Sequence, residues 1–409
     1  MSDKNSLPYH KRTIQPKAQE KVAAKVGAST GWFKDLKLPF TPKGKKKRRG
    51  LIGKANPFTL ENLHEHLRIA MMLELSTIPP YLCALYSIQT GDRTQPGYQE
   101  NFGDNAEVAN IIRSVMMEEM LHFTLVGNIL NAVGGKFMIT DKQYVPTYPT
   151  TLPHSNGDFE VSLRKFDKTA IRAFMRIEEP TPSNVPPRIE GYATIGQFYN
   201  GIILLIKTLG KSQNIFTGDE SRQIDEKYYY GGGDEQIIKV TDEVSALKAI
   251  EIIMEQGEGT EDNIREVEVG DEEEIRELAH YYKYLEIYEE QRYADCQKNP
   301  KEPPQGTKMD IKYDRVYNMM INPKTEDFVT DELKNLSREF NLLYMGLLHD
   351  LQAAFTGEPD RLIKGVGKMF KLRYKAVELM RNPIPGRKVN AGPTFEYVEE
   401  DVQRTNKIT

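Results

Sequence analysis

The sequence predicts a mainly α protein: a four-helix bundle with long insertions and an additional C-terminal helical hairpin. Three observations predict it. Apolar residues recur at three- and four-residue steps over several long segments, prolines and glycines gather in the stretches between them, and no repeat of 20–50 residues marks a solenoid.

Residues 1–56 are rich in Lys, Pro and Gly and close on the basic run from Lys43 to Arg49. Such a stretch buries too little apolar surface to offset its ordering entropy, so it is expected as an extended arm. A solvated tail is the default for the run, with anion docking or a localisation signal as the functional readings. From Pro57 the pattern becomes helical: Leu60, Leu63, Leu67, Ala70, Met71 and Ile78 share one stripe. Pro79 cannot donate to the carbonyl of Leu75, which predicts a kink or an end there, although Tyr81 to Gln89 still reads as helix. A second helix is expected from Asp104 or Asn105 to Gly134-Gly135.

The stretch 136–188 carries seven prolines and strand-like pieces such as Phe159–Leu163, and is expected to be mostly non-helical. Helices follow at Ile195–Leu209, Glu243–Gln256 and Asp271–Gln291, with Tyr228–Gly233 as a loop or hairpin between the first two. Leu333–Phe355 and Pro359–Met380 form the closing hairpin. The expected organisation is an arm at 1–56, a bundle at 57–300 with insertions at 136–190 and 210–242, and a hairpin and tail at 301–409 packed on the bundle.

A net charge of −4 gives no global attraction to nucleic acid, and no apolar run approaching a bilayer span is evident, so no nucleic-acid or membrane partner is expected. The N-terminus lacks the apolar stretch of a secretory signal. Cys83 and Cys296 lie far apart, which excludes a disulfide framework and a clustered thiolate site and suits a reducing cytoplasm. Cys83 is expected as a small core residue.

Residues three apart on a helix share a face, so Glu119-x-x-His122 aims an oxygen and a nitrogen ligand at one point, and Glu277-x-x-His280 repeats the spacing. Four-helix proteins that bind paired iron or manganese ions use two such pairs, with one Glu from each of two further helices. Glu74 supplies one: it lies on the apolar stripe, where a buried carboxylate requires a cation or a partner. Glu255 is the choice for the other, with Glu251 and Glu258 competing; Glu118 competes with Glu119. A lone Glu-x-x-His on a helix is more often a solvated pair, and the case rests on finding two. Tyr81, Tyr281 and Tyr284 stand where one-electron chemistry near a metal is conceivable; Tyr81 and Tyr281 are the candidate catalytic residues, against a default of half-polar core filler. His64 and His66 read as residues that cap or decorate a helix start.

Several motifs together resemble the ferritin-like domain of iminophenyl-pyruvate dimer synthases, the enzymes of bisindole biosynthesis: Leu73–Ile88, Glu118–Leu125, Thr194–Tyr199, Glu255–Thr260, Ala279–Tyr284 and Gly392–Tyr397. The resemblance implies a ferritin-like bundle with Glu74, Glu119, His122, Glu255 and His280 at its metal site. Gln197 is neutral and is not counted as a ligand. The named synthases couple two imines derived from aromatic 2-oxo acids and are far longer chains. The expected cofactor is two iron ions, with manganese or zinc as substitutes; no His or Cys is marked as an axial haem ligand. The expected partners are a small amino-acid-derived substrate with dioxygen or peroxide, and a homodimer is compatible with the reading. Metal binding without turnover is the competing function.

Overall fold

Thr59 opens the first helix by accepting a hydrogen bond from the Asn62 amide at 3.1 Å, and the helix, α1, then runs unbroken over Leu60–Ser87. The computed structural model describes residues 58–89, 103–136, 138–229, 237–257, 278–294, 297, 299 and 301–399. The basic arm, Glu258, Glu277, Cys296 and most of the Tyr228–Gly233 loop lie outside the described residues.

α1 does not end at its prolines. Pro79 and Pro80 leave the carbonyls of Leu75 and Ser76 without their intrahelical donors, and the Tyr148 hydroxyl donates to Ser76 O at 2.8 Å. By length and apolarity α1 would pass for a membrane span, but 94% of its most apolar window is buried inside the protein, so it is a core helix.

Seven further helices follow among the described residues: α2 (Ala106–Ala132), α3 (Lys168–Ile177), α4 (Ile195–Gly210), α5 (Glu243–Gly257), α6 (His280–Glu289), α7 (Asp331–Ala354) and α8 (Arg361–Arg381). Among them only isolated β-bridges occur, with no strand ladder. Four helices close a ring, α1 on α2, α2 on α5, α5 on α4 and α4 on α1. His64 near the start of α1 bonds Val133 O at the end of α2 at 2.7 Å, which makes that pair antiparallel. α3 and α6 pack on each other and lie against the ring, reaching α1, α2 and α5.

α7 and α8 pair and dock on the ring through α8 against α1 and the Phe123–Phe355 ring contact. Asp350 inside this hairpin is buried and bonded by Arg361 and Lys368. The C-terminal segment returns over α7, where Phe395 meets Phe340 and Tyr344 edge-on.

The structure refines three expectations. The excursion at 136–188 is mostly non-helical among the described residues but contains helix α3, started by Asp167 accepting from Ala170 N at 2.7 Å and buried through Ala170, Ile171, Phe174 and Ile177. The segment Phe159–Leu163 makes a single bridge, Thr150 to Val161, and no longer ladder among the described residues. Of the helix expected over Asp271–Gln291, the described part begins at His280, where Ala279 before it is extended (φ −62°, ψ 156°); Asp271–Glu277 lie outside the described residues.

Candidate metal centre

The middles of α1 and α2, the C-terminal end of α3 and the N-terminal end of α6 bring three carboxylates and two imidazoles into one buried cluster. Glu74 comes from α1, Glu119 and His122 from α2, Glu178 from the C-cap of α3 and His280 from the first position of α6; each is at most 3% exposed.

Each carboxylate is anchored by a hydroxyl on one oxygen and presents the other to an imidazole. Tyr199 donates to Glu74 Oε1, Thr77 to Glu119 Oε2 at 2.7 Å and Tyr81 to Glu178 Oε1 at 2.5 Å. The free oxygens face two nitrogens. His122 Nδ1 lies 3.8 Å from Glu74 Oε2 and 3.7 Å from Glu119 Oε1, and His280 Nδ1 lies 3.0 Å from Glu119 Oε1 and 3.6 Å from Glu178 Oε2. Glu119 is therefore shared between two His–carboxylate groupings.

Both rings are oriented from behind. His122 Nε2 meets Gln256 Oε1 at 3.0 Å, an acceptor, so Nε2 carries the proton and Nδ1 keeps its lone pair toward the carboxylates. His280 Nε2 meets Glu118 Oε2 at 2.7 Å, and Lys283 holds both oxygens of Glu118 at 2.8 Å. His280 Nδ1 is buried without a well-aligned partner among the described residues. The rings stack with centroids 5.3 Å apart.

Electrostatics distinguish the three carboxyls. Burial, reinforced by the Glu119 charge, raises Glu74 well above and Glu178 above the ordinary carboxylate range. Burial acts the same way on Glu119, but His280 and His122 outweigh it and hold its carboxyl low. Burial also depresses His122 to about 4, leaving a neutral imidazole at pH 7. Without a cation, burial and the Glu119 charge work against the charged forms of Glu74 and Glu178. Two cations would offset that penalty by neutralising the cluster.

The donor set fits such ions. Ligand atoms about 2.1 Å from one metal lie roughly 3.0–3.5 Å from each other, close to the nitrogen–oxygen separations found here. Glu119, His122 and His280 alone place a ligand atom each within 4.8 Å of one another. A cavity reaches the carboxylates between the start of α4 (Ile195, Gly196) and the end of α5 (Ile253, Met254, Gly257). A Cβ at Gly257 would approach Glu178 Oε2 to 3.4 Å, so glycine keeps that side open.

Of the residues singled out from sequence, Glu74, Glu119, His122 and His280 meet here, and Tyr81 touches the cluster through Glu178. Glu118 lies behind His280. Glu255 is half-buried and does not line the cavity; its neighbour Gln256 is the α5 residue at the site. Tyr281 packs on Tyr282 in a separate apolar cluster, whereas Tyr284 stacks beside Tyr81 with centroids 5.4 Å apart. Glu251 is exposed. Gln197 is structural, bonded to Ala193 N and Pro186 O. Sequence reasoning missed Glu178, although the N-cap Asp167 and the apolar spacing after it signal the helix that positions it.

A helical ring around buried carboxylates and imidazoles marks the chain as one of the ferritin-like bundles. The ferritin-like family model matches residues 67–289, more than half of the chain, and the chain belongs to the ferritin-like family. Dichlorochromopyrrolate synthase of Lentzea aerocolonigenes is 24% identical over 84% of this chain and 36% of its own length. The 2-imino-3-(indol-3-yl)propanoate dimerase of Chromobacterium violaceum is 26% identical over 50% of this chain and 22% of its own length. The chain therefore spans about a third or less of the curated relatives it matches. A crystal structure of a ferritin like protein from Caulobacter vibrioides shares the fold, with a TM-score of 0.53, 22% identity and coverage of 82% of this chain and 98% of that one.

Proposed function

We propose that this chain is a di-iron oxidoreductase that oxidises a small amino-acid-derived substrate, a 2-imino acid or its 2-oxo-acid parent, and couples two such molecules. The observation that supports it most is the pair of imidazole Nδ1 atoms set between three anchored carboxylates, with Glu119 common to both groupings. In this reading Glu74, Glu119 and His122 would hold one ion and Glu119, Glu178 and His280 the other, with Glu178 in the place expected of Glu255; Glu277 lies outside the described residues. Oxygen and imidazole donors suit iron, with manganese or zinc as substitutes.

Bound iron would supply the one-electron steps. Joining two imines through a carbon–carbon bond releases two protons and two electrons, which reduce one hydrogen peroxide to two waters or one dioxygen to hydrogen peroxide. The chain's own residues position and exclude. Tyr199, Thr77 and Tyr81 fix the carboxylates, and Ile195, Ile253 and Met254 line the apolar side of the narrow cavity that reaches them. Tyr81, beside Tyr284 and bonded to Glu178, is the tyrosine placed for electron transfer.

Anaerobic titration with Fe(II) is expected to give two irons per chain, and admission of air to give a near-ultraviolet band with oxygen consumption. Glu119→Gln is expected to cut bound iron to less than half. Equal iron in wild type and variant would remove the shared-carboxylate centre. A loaded chain that neither consumes oxygen or peroxide nor transforms aromatic 2-imino acids would leave a non-catalytic iron-binding protein.

A further inference from the structure

A second group of donors meets near the start of α1, away from the carboxylate cluster. His66 is 3% exposed, and its Nδ1 donates to the Asn62 carbonyl at 2.7 Å, so the lone pair resides on Nε2. That Nε2 is buried and has no hydrogen-bond partner among the described residues. Facing it are the exposed His154 and Glu190, and one ligand atom from each of the three residues lies within 4.8 Å of the others.

The loop carrying the two outer residues is built, not loose. Gly191 N donates to His154 O at 2.8 Å, Asn156 N to Tyr192 O at 2.9 Å, and the Tyr192 hydroxyl to Pro153 O at 2.5 Å. These bonds set His154 and Glu190 side by side. His154 sits in the left-handed region at φ 58°, a conformation that costs a non-glycine residue about 1 kcal/mol or more and persists only where its surroundings enforce it. Its ring meets that of His66 edge-on, with centroids 6.3 Å apart. Burial lowers the His66 pKa, so the imidazole is neutral at pH 7 and able to ligate.

We propose that His66, His154 and Glu190 bind one divalent ion of the zinc type, clamping the 150–192 stretch onto α1. Two imidazoles and a carboxylate are a common zinc donor set, with water completing a tetrahedron. Closing the ligand atoms from within 4.8 Å to the roughly 3.3 Å of a tetrahedral site asks only for shifts of the two exposed side chains. His66 precedes Glu74 by eight residues, about 12 Å along the helix, so the two sites are distinct. The proposal does not rest on the di-iron reading.

The test uses the full chain, stripped of metal and titrated with Zn(II) against a chromophoric chelator. His154→Ala combined with Glu190→Gln alters exposed positions only, and is expected to remove one tightly bound zinc per chain while binding at the carboxylate cluster remains. Glu119→Gln is expected to keep that zinc. In wild type, zinc should slow proteolytic cleavage within 150–192 at least tenfold, and in the double variant it should not. Unchanged zinc stoichiometry and affinity in the double variant, or zinc-independent cleavage in wild type, overturns the clamp.

Discussion

Behind the carboxylate cluster, Glu118 shows how one carboxylate is made to stay charged. Burial acts to raise its pKa, but the Lys283 ammonium and His280 outweigh it and hold the carboxyl well below the usual range. A depressed carboxyl contributes stability that is present above its unfolded value near 4.5 and is lost as the pH falls below it. In metal-free protein, Glu118→Gln removes the carboxylate that Lys283 and His280 share and is expected to cost about 3 kcal/mol at pH 7. Urea denaturation at pH 7, 4 and 3 should show the gap to wild type narrowing with acid; a gap independent of pH contradicts the assignment. At this scale the sequence exposes much of the site: the spacing of Glu119 and His122 and the apolar setting of Glu74 carry physical meaning without coordinates. Glu178 and Gln256 escape because neither is marked by spacing. One caps a short helix amid prolines, and the other is a neutral side chain beside a more conspicuous glutamate.

Helix α1 carries two prolines in its buried length and remains continuous because a group from outside answers one of the freed carbonyls. Removing that donor with Tyr148→Phe strands Ser76 O inside the core, and is expected to lower stability by about 1–2 kcal/mol while iron stoichiometry holds. Unaltered denaturation midpoints would show that another donor suffices. Element boundaries were legible where amphipathic periodicity was long, as in α1, α2, α7 and α8. They were misjudged where chemistry other than periodicity decides. The extended Ala279 precedes α6 within a span that the apolar pattern reads as one helix, and the high proline content around α3 masks ten residues that obey a clear N-cap and apolar spacing.

At the scale of the whole molecule, the cluster of buried acids is a liability that bound cations would convert into cohesion. Ions that bind only the folded chain stabilise it by mass action, by about 2.7 kcal/mol at a free concentration one hundred times the dissociation constant. Anaerobic Fe(II) is therefore expected to raise the thermal midpoint by several degrees in a concentration-dependent way, and Glu119→Gln to abolish most of that rise. Calorimetry showing the same midpoint with and without iron would deny the coupling. The ring of helices was foreseeable from periodicity, whereas the inward fold of the 136–190 excursion was not, since it depends on contacts between residues nearly a hundred positions apart, such as Tyr81 with Glu178.

Glu178 belongs to none of the ring helices but caps a short helix laid against them, so the ring by itself supplies only two of the three acids. Any cargo gripped by all three would be retained only while that detour stays seated, and a slip of it would loosen the grip without unmaking the scaffold.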